Sequence, residues 1–147
     1  MEPRNTVWSE KRAFYSVKRG GPTLRYMILI SIATRRFIWI SDAFPGGTSE
    51  IRIVQEFAAP LLEPGERILG DQLFNKPALQ SIFICPQKNE LLEYERLSSI
   101  RARVEHSFEM LKNFAIASNT FRSFDYALHE MSMNVLCRII NEARFSR

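Results

Sequence analysis

Two acidic side chains stand out among the residues of this sequence that could do chemistry. Asp71 is one of three aspartates, and it follows the short apolar run Ile68-Leu69-Gly70, which predicts a brief strand that ends at this carboxylate. Functional groups collect at the carboxyl ends of strands, and the preceding glycine permits a close approach of backbone or ligand. A turn or capping aspartate fits the same position equally well, so both interpretations stay open.

Glu105 is the second candidate. An apolar stripe at helical spacing precedes and follows it, made of Leu97, Ile100, Val104, Phe108 and Leu111. Glu105 lies on the shoulder of this stripe, one turn after Arg101 and about two turns before Lys112. On spacing alone, a solvent-exposed pair between Arg101 and Glu105, worth roughly a few tenths of a kcal/mol, is the preferred interpretation.

The remaining reactive side chains are isolated. His106 and His129 have no cysteine or second histidine at ligand spacing, and we interpret each as a surface or core-edge residue. Cys85 and Cys137 lie far apart in apolar surroundings, which predicts reduced core thiols. The sequence contains no nucleophile elbow, phosphate-binding glycine loop or dinucleotide fingerprint.

Length, composition and charge limit the classes of protein. A chain of 147 residues with 46% apolar residues can build one domain with its own core, which excludes wholesale disorder. The longest apolar run, 26–33, is far shorter than the roughly 18 residues of a membrane span, and no signal-peptide layout is present, so we expect an intracellular protein without a membrane partner.

The charge of +4 is unevenly distributed, with +6 over residues 1–36, −5 over 37–95 and +3 over 96–147. Basic ends around an acidic middle suit a protein that meets a polyanion at its rim and holds cations at its centre. From charge alone, an ordinary solvated surface is the simpler explanation.

The elements that must position these residues alternate between short strands and helices. Residues 1–22 are interpreted as a basic N-terminal segment, and residues 23–147 as the folded domain. Apolar, β-branched stretches predict an antiparallel hairpin and two further strands, at 25–33, 36–41, 67–70 and 81–85.

Helices are expected at 50–58, 91–114 and 126–143, capped by Thr48 or Ser49 at the first and by Asp125 at the last. The apolar residues of the last helix are predicted to face inward: Leu128, Met131, Val135, Leu136, Ile139 and Ile140. This order of elements predicts an α/β domain.

Several stretches, taken in order, carry a family pattern. They are Phe14-Tyr15-Ser16 with Lys18-Arg19, Thr23-Leu24-Arg25-Tyr26, Phe44-Pro45-Gly46, Ile68-Leu69-Gly70-Asp71, and the run from Leu97 to Lys112 that contains Arg101, Arg103, Val104, Glu105, His106 and Phe108. Together they resemble the DDE-superfamily transposases, in particular the Harbinger-like branch and its bacterial insertion-sequence relatives. The last stretch is the most specific, and the others support it.

The resemblance implies a ribonuclease-H-like mixed sheet with flanking helices, and cleavage or transfer of DNA phosphodiesters with Mg²⁺ or Mn²⁺ held by carboxylates. Carried over by position, Asp71 and Glu105 are the second and third catalytic metal ligands. Arg101 would orient Glu105 or meet a phosphate, and Lys112 would lie on the same shoulder. DNA is the implied partner, the nucleus is the implied location, and the basic residues Lys18 and Arg19 join Arg101 and Lys112 as candidate backbone contacts.

The chain departs from the family pattern near its start. The family's first catalytic aspartate precedes the Tyr-Ser-Lys stretch, whereas no aspartate precedes Asp42 here. The family's histidine is also missing from Gly47-Thr48-Ser49-Glu50. We therefore expect a domain truncated at its N-terminus, without its first central strand, and with a weakened metal site.

Two alternatives to an active nuclease stay open. One is a non-catalytic remnant that binds DNA or a partner protein. The other is a scaffold whose open sheet edge pairs with another subunit, because an unpaired strand edge invites association.

Overall fold

The structure of the protein is a computed structural model, which describes residues 13–16, 20–85, 91–119 and 125–145, and for 91–93 and 145 the backbone alone. The candidate DNA contacts Lys18 and Arg19 lie outside these ranges. The division of the chain at residues 22 and 23 stays a prediction.

Short strands dominate the first half of the chain. In order they are β1 (Tyr15–Ser16), β2 (Gly21–Pro22), β3 (Leu24–Arg25), β4 (Ile28–Ile30), β5 (Phe37–Ile40), β6 (Phe44–Pro45), β7 (Ile68–Leu69) and β8 (Phe83–Ile84). They join in antiparallel pairs β1–β2, β3–β6 and β4–β5 and in one parallel pair, β7–β8. Within the described ranges these pairs are separate two-stranded sheets.

The predicted antiparallel hairpin is confirmed as β4–β5, with shorter strands than expected. Ile28 pairs with Ile40 and Leu29 with Trp39, and a register shift follows because β5 holds one extra residue at Ile38. The turn is tight, since Arg35 adopts a positive φ of 58°. β-branched and aromatic side chains explain why this segment forms strands.

Helices fill the remainder. They are α1 (Glu50–Ile53), α2 (Leu91–Lys112), α3 (Ala115–Ser118) and α4 (Tyr126–Phe145). The helix expected at 50–58 is present, but α1 passes into a π-helical turn at Val54–Ala58 and a 3-10 turn at Ala59–Leu61, which contains Pro60. No helix in the described part of the chain is long and apolar enough to cross a membrane.

The two helix caps behave differently. Asp125 caps α4 as predicted, because its Oδ1 accepts the Leu128 N–H at 2.9 Å. Ser49 occupies the N-cap position of α1, but its side chain makes no capping hydrogen bond. The first turn of α1 is held instead by an ion pair between Arg25 Nη1 and Glu50 Oε1 at 2.9 Å.

Two hydrophobic clusters cover opposite faces of the hairpin. The α4 cluster consists of the buried residues Phe37, Leu111, Met133, Leu136, Cys137 and Ile140, with Ile28, Ile30 and Ile40 packed against it. The α1 cluster consists of the buried residues Val54, Ala58, Phe74, Leu79 and Phe83, with Met27, Leu29, Trp39 and Ile68 packed against it. Successive residues of β4 thus contact different clusters, because neighbouring side chains of a strand point to opposite faces and both faces are apolar here.

The prediction for the inward face of α4 is wrong for four of its six residues. Leu136 and Ile140 are buried, whereas the other four are exposed: Leu128 by 48%, Met131 by 65%, Val135 by 53% and Ile139 by 53%. The helix carries apolar residues on two sides, and the hairpin and α2 cover only the side that holds Met133, Leu136, Cys137 and Ile140. We call the four exposed residues the α4 stripe.

Candidate active site

Asp71 lies directly beyond β7 and caps the short 3-10 helix Gln72–Phe74. Its Oδ1 accepts the Leu73 N–H at 2.9 Å, and the side chain is exposed. The predicted position at a strand end is therefore correct, and so is the alternative of a capping role. One carboxylate oxygen thus accepts a backbone hydrogen bond, and the residue is exposed to solvent.

Gly70, which precedes Asp71, lies against two phenyl rings. A Cβ atom at Gly70 would lie 2.7 Å from Phe83 Cδ1 and 3.1 Å from Phe74 Cδ2, closer than van der Waals contact allows. These two rings are stacked with centroids 4.4 Å apart. The close approach predicted for this glycine is thus an approach of two phenyl rings in the α1 cluster.

Glu105 and Arg101 lie one turn apart on α2. Glu105 is exposed and Arg101 is half-buried, and the two side chains form no ion pair. The solvent-exposed pair preferred from spacing alone is therefore absent. Lys112, at the last residue of α2, is also exposed.

Cys85 directly follows β8, is half-buried and packs against the α1 cluster. Burial raises its pKa, the negative charge of Asp71 raises it further, and the positive charge of Arg101 lowers it. Charges act over a Debye length of about 8–10 Å, so these influences do not require contact. Among the described residues, no hydrogen bond or ion pair joins Asp71 to Arg101 or to Glu105.

The carboxylates of Asp71 and Glu105 have the right chemistry for a hard cation. Carboxylate oxygens are the ligands that Mg²⁺ and Mn²⁺ prefer. Within residues 13–16, 20–85, 91–119 and 125–145, however, no three His, Cys, Asp or Glu side chains form a group that could hold a metal ion. The described donors therefore do not fit a two-ion centre, and at most one weakly held ion suits them.

Three contacts between separate elements, outside the candidate site, have no signal in the sequence. Arg25 and Glu50 join β3 to α1, and His129 on α4 is buried with its Nδ1 2.7 Å from the Tyr26 hydroxyl. Nε2 of His129 lies 3.2 Å from the Ile116 carbonyl oxygen. The rings of Tyr26 and His129 stack. The partners are 25, 103 and 13 residues apart, so no local spacing could predict them.

Comparison with known proteins places the chain in a family. The family of DDE superfamily endonucleases matches residues 2–141, which is nearly the whole sequence. The chain belongs to this family of endonucleases, and the resemblance found in the motifs is confirmed at the level of the superfamily. No curated protein and no solved structure matches the chain.

Proposed function

We propose that this chain is a transposase-derived nuclease domain, of the Harbinger-like branch, in which Asp71 and Glu105 carry metal-dependent chemistry on DNA phosphodiesters. Family membership supports a nuclease that acts on DNA. The observation that carries the proposal is the exposed carboxylate of Asp71 just after β7, at the position where the family pattern has its second catalytic aspartate. Glu105 joins it in the proposal because the run from Leu97 to Lys112 carries the most specific part of the family pattern.

Each side chain has a proposed task. The exposed carboxylate of Asp71 keeps one oxygen on the Leu73 N–H, which holds the other oxygen in a fixed direction for a cation. Glu105 supplies a second carboxylate from α2. Arg101, which is half-buried, is proposed to balance their charge and to meet a backbone phosphate, because a guanidinium matches the geometry of two phosphate oxygens.

If a divalent cation were held by Asp71 and Glu105, it would supply Lewis-acid activation of a water or 3′-hydroxyl and would stabilise the leaving oxygen. We propose that the site is incomplete in this chain, with Asp71 and Glu105 as two of the ligands that a full centre needs. Ion binding is then weak, and activity on DNA is low.

The proposed architecture is a ribonuclease-H-like mixed sheet that lacks its first central strand. The antiparallel pair β4–β5 and the parallel pair β7–β8 support it, because both pack against the α1 cluster without a hydrogen bond between them. A single strand between the pairs would join them into one mixed sheet, with α1 on one face and α4 on the other.

The test is nicking of supercoiled plasmid in the presence of Mn²⁺. The wild-type chain is compared with Asp71→Ala and Glu105→Ala, and with Glu109→Ala as a matched control, since Glu109 is an exposed glutamate one turn further along α2. We expect weak nicking that both site variants abolish and the control retains. Equal nicking by all four proteins would reject catalysis at this site.

DNA binding through the basic residues is the second part of the proposal, with nuclear residence as its consequence. Lys18, Arg19, Arg101 and Lys112 are the proposed phosphate contacts. Each phosphate contact that is lost should reduce the slope of log affinity against log salt by about 1. Lys112→Ala is therefore expected to flatten this slope, and a slope that is equal in both proteins would remove Lys112 from the interface.

A non-catalytic role in protein interaction is the second candidate function. The α4 stripe favours it, because four large apolar side chains are about half exposed or more on one side of a helix. We expect Val135→Glu to keep the fold and to reduce concentration-dependent association in sedimentation. A monomer at every concentration, before and after the change, would count against this role.

A further inference from the structure

Two contacts fix how α4 lies along the hairpin. At one end, the Asn141 side chain bonds to the main chain of Phe37, the first residue of β5, at 2.9 Å. At the other end, Glu130 Oε2 accepts the N–H of Ala43, which lies beyond the end of β5, at 2.9 Å. The helix therefore runs antiparallel to β5, and the turn of the hairpin, residues 31–36, lies at the C-terminal end of α4.

Helix α2 brings its middle turns to the same end of α4. Arg144 Nη1, in the last turn of α4, donates to Ser107 Oγ on α2 at 3.1 Å. Nearer the start of α4, Nε2 of His129 lies 3.2 Å from the carbonyl oxygen of Ile116, which follows α2 in the chain. The chain from α2 onward thus runs opposite to α4, and the residues just before Ser107 lie at the C-terminal end of α4.

Ser107 connects an arginine of α4 with an arginine of α2. Its side chain is fully buried, and its hydroxyl donates to Arg103 O at 3.2 Å and accepts from Arg144 Nη1 at 3.1 Å. The half-buried guanidinium of Arg144 is thus held beside the main chain of Arg103, whose side chain is exposed. A guanidinium that is already held in place loses less conformational entropy when it meets an anion.

The turn of the hairpin supplies two further arginines. Arg35 and Arg36 are both exposed, and Arg36 directly precedes Phe37, whose main chain is bound to α4. The turn is closed by a hydrogen bond of 2.8 Å from the Arg35 N–H to Ser31 O. Two exposed arginines therefore lie at the C-terminal end of α4, next to the arginines of α2 and α4.

The charges at this end of α4 are mostly positive. We call the four residues there the arginine cluster: Arg35, Arg36, Arg103 and Arg144. Residues 24–41 contain no acidic residue, none lies three or four positions from Arg103, and Glu142 is the one acid among residues 138–145. Three carboxylates lie at the opposite end of α4, those of Asp42, Asp125 and Glu130. This separation of charge creates a positive potential over the arginine cluster, which attracts polyanions.

We propose that the arginine cluster binds the phosphodiester backbone of DNA, at a surface separate from Asp71 and Glu105. Each guanidinium matches two oxygens of a phosphate, and arginines from three elements suit successive phosphates of a strand. The cluster lies across α2 from Glu105, because Glu105 and Ser107 point in directions roughly 160° apart around the helix axis. The inference rests on the proposed function only for the identity of the polyanion, and the cluster takes no part in the chemistry.

The test measures binding of a fluorescein-labelled DNA duplex by anisotropy, in EDTA and at salt concentrations from about 50 to 200 mM. Arg35→Gln and Arg103→Gln each remove one charge of the cluster. Arg52→Gln is the matched control, since Arg52 is exposed on α1, which packs on the opposite face of the hairpin. We expect each cluster variant to bind about five- to tenfold more weakly at 0.1 M salt, with a slope of log affinity against log salt that is lower by about 1. The control should bind as the wild-type chain does, and wild-type affinity and slope in both cluster variants would overturn the proposal.

Two further comparisons separate this inference from the proposed function. If Lys112→Ala flattens the salt dependence and the cluster variants do not, DNA binds at the candidate site alone and the inference fails while the proposed function stands. A labelled polyglutamate peptide tests the other class of polyanion. If Arg35→Gln and Arg103→Gln weaken binding of polyglutamate but not of DNA, the surface takes an acidic protein and the inference fails. Weaker DNA binding by the cluster variants, with polyglutamate bound poorly by every protein, would support it.

Discussion

Asn141 holds the main chain of Phe37 by both of its polar groups, with two hydrogen bonds of 2.9 Å between a helix side chain and the edge of β5. Phe37 is buried, and its ring lies in the α4 cluster. The pair thus fixes α4 against the hairpin and closes that edge to other strands.

Asn141→Ala should destabilise the protein. The N–H and C=O of the buried residue Phe37 lose their partners together, which costs about 1–3 kcal/mol in the free energy of unfolding. Asn134→Ala is the matched control, because Asn134 lies on the same helix and, among the described residues, its side chain bonds to the Glu130 carbonyl of that helix. Urea denaturation measures both, and an equal effect of the two changes would show that the Phe37 bonds contribute nothing.

Tyr26→Phe removes the hydroxyl that meets His129 Nδ1. Burial, and then the charge of Glu130, raises the pKa of Tyr26, so the hydroxyl keeps its proton and can donate it to the buried ring nitrogen. We expect the free energy of unfolding to fall by about 1–3 kcal/mol.

Tyr126→Phe serves as its control, because Tyr126 is exposed and should change stability by less than about 0.5 kcal/mol. Thermal or urea unfolding of both variants provides the comparison. An unchanged stability of Tyr26→Phe would mean that Nδ1 of His129 has another hydrogen-bond partner.

Alkaline pH should destabilise the fold through Cys137. Burial raises the pKa of this thiol from 9.0 to about 11. Because the folded state holds the proton more tightly than the unfolded state, the contribution is complete below pH 9 and is lost as the pH rises from 9 to 11. At about 1.4 kcal/mol for each pH unit, the loss approaches 3 kcal/mol.

Urea unfolding at pH 8 and pH 11 measures this loss, and comparison with Cys137→Ala isolates the contribution of the thiol. The variant should lose less stability than the wild-type chain over the same interval. If both proteins respond identically, other groups account for the pH dependence.

Gly70→Ala should crowd the stacked rings of Phe74 and Phe83. A Cβ atom 2.7 Å from Phe83 Cδ1 forces a shift in a packed cluster, which costs about 1–3 kcal/mol. Gly21→Ala is the control, since a Cβ atom there has no neighbour within 4 Å. An unchanged melting temperature of Gly70→Ala would mean that the rings of Phe74 and Phe83 shift without a loss of stability.

The sequence was sufficient for elements whose pattern is local. The β-branched run before Arg35 and the one after it predicted the hairpin, and Asp125 predicted the start of α4, because strand propensity and helix capping depend on near neighbours. The same pattern failed on the faces of α4. Periodicity shows which residues share a side, but the packing of distant elements decides which side is covered.

The candidate site also has a part that the local sequence predicts and a part that it does not. Asp71 at the end of a strand was predictable from the three apolar residues before it. Whether Asp71 approaches α2 depends on how β7–β8 lies relative to a helix some thirty residues later, and no local spacing predicts that. The ion pair of Arg25 with Glu50 has no sequence signal for the same reason.

Cation binding by a cycle of variants tests the account most directly. Mn²⁺ affinity is measured by calorimetry for the wild-type chain, Asp71→Ala, Glu105→Ala and the double variant. If both carboxylates hold one ion, each single change weakens binding by about tenfold or more, and the double change adds little, because the effects of residues that share one ligand are not additive. Losses that add independently, or an affinity that neither change alters, would contradict a shared cation at Asp71 and Glu105.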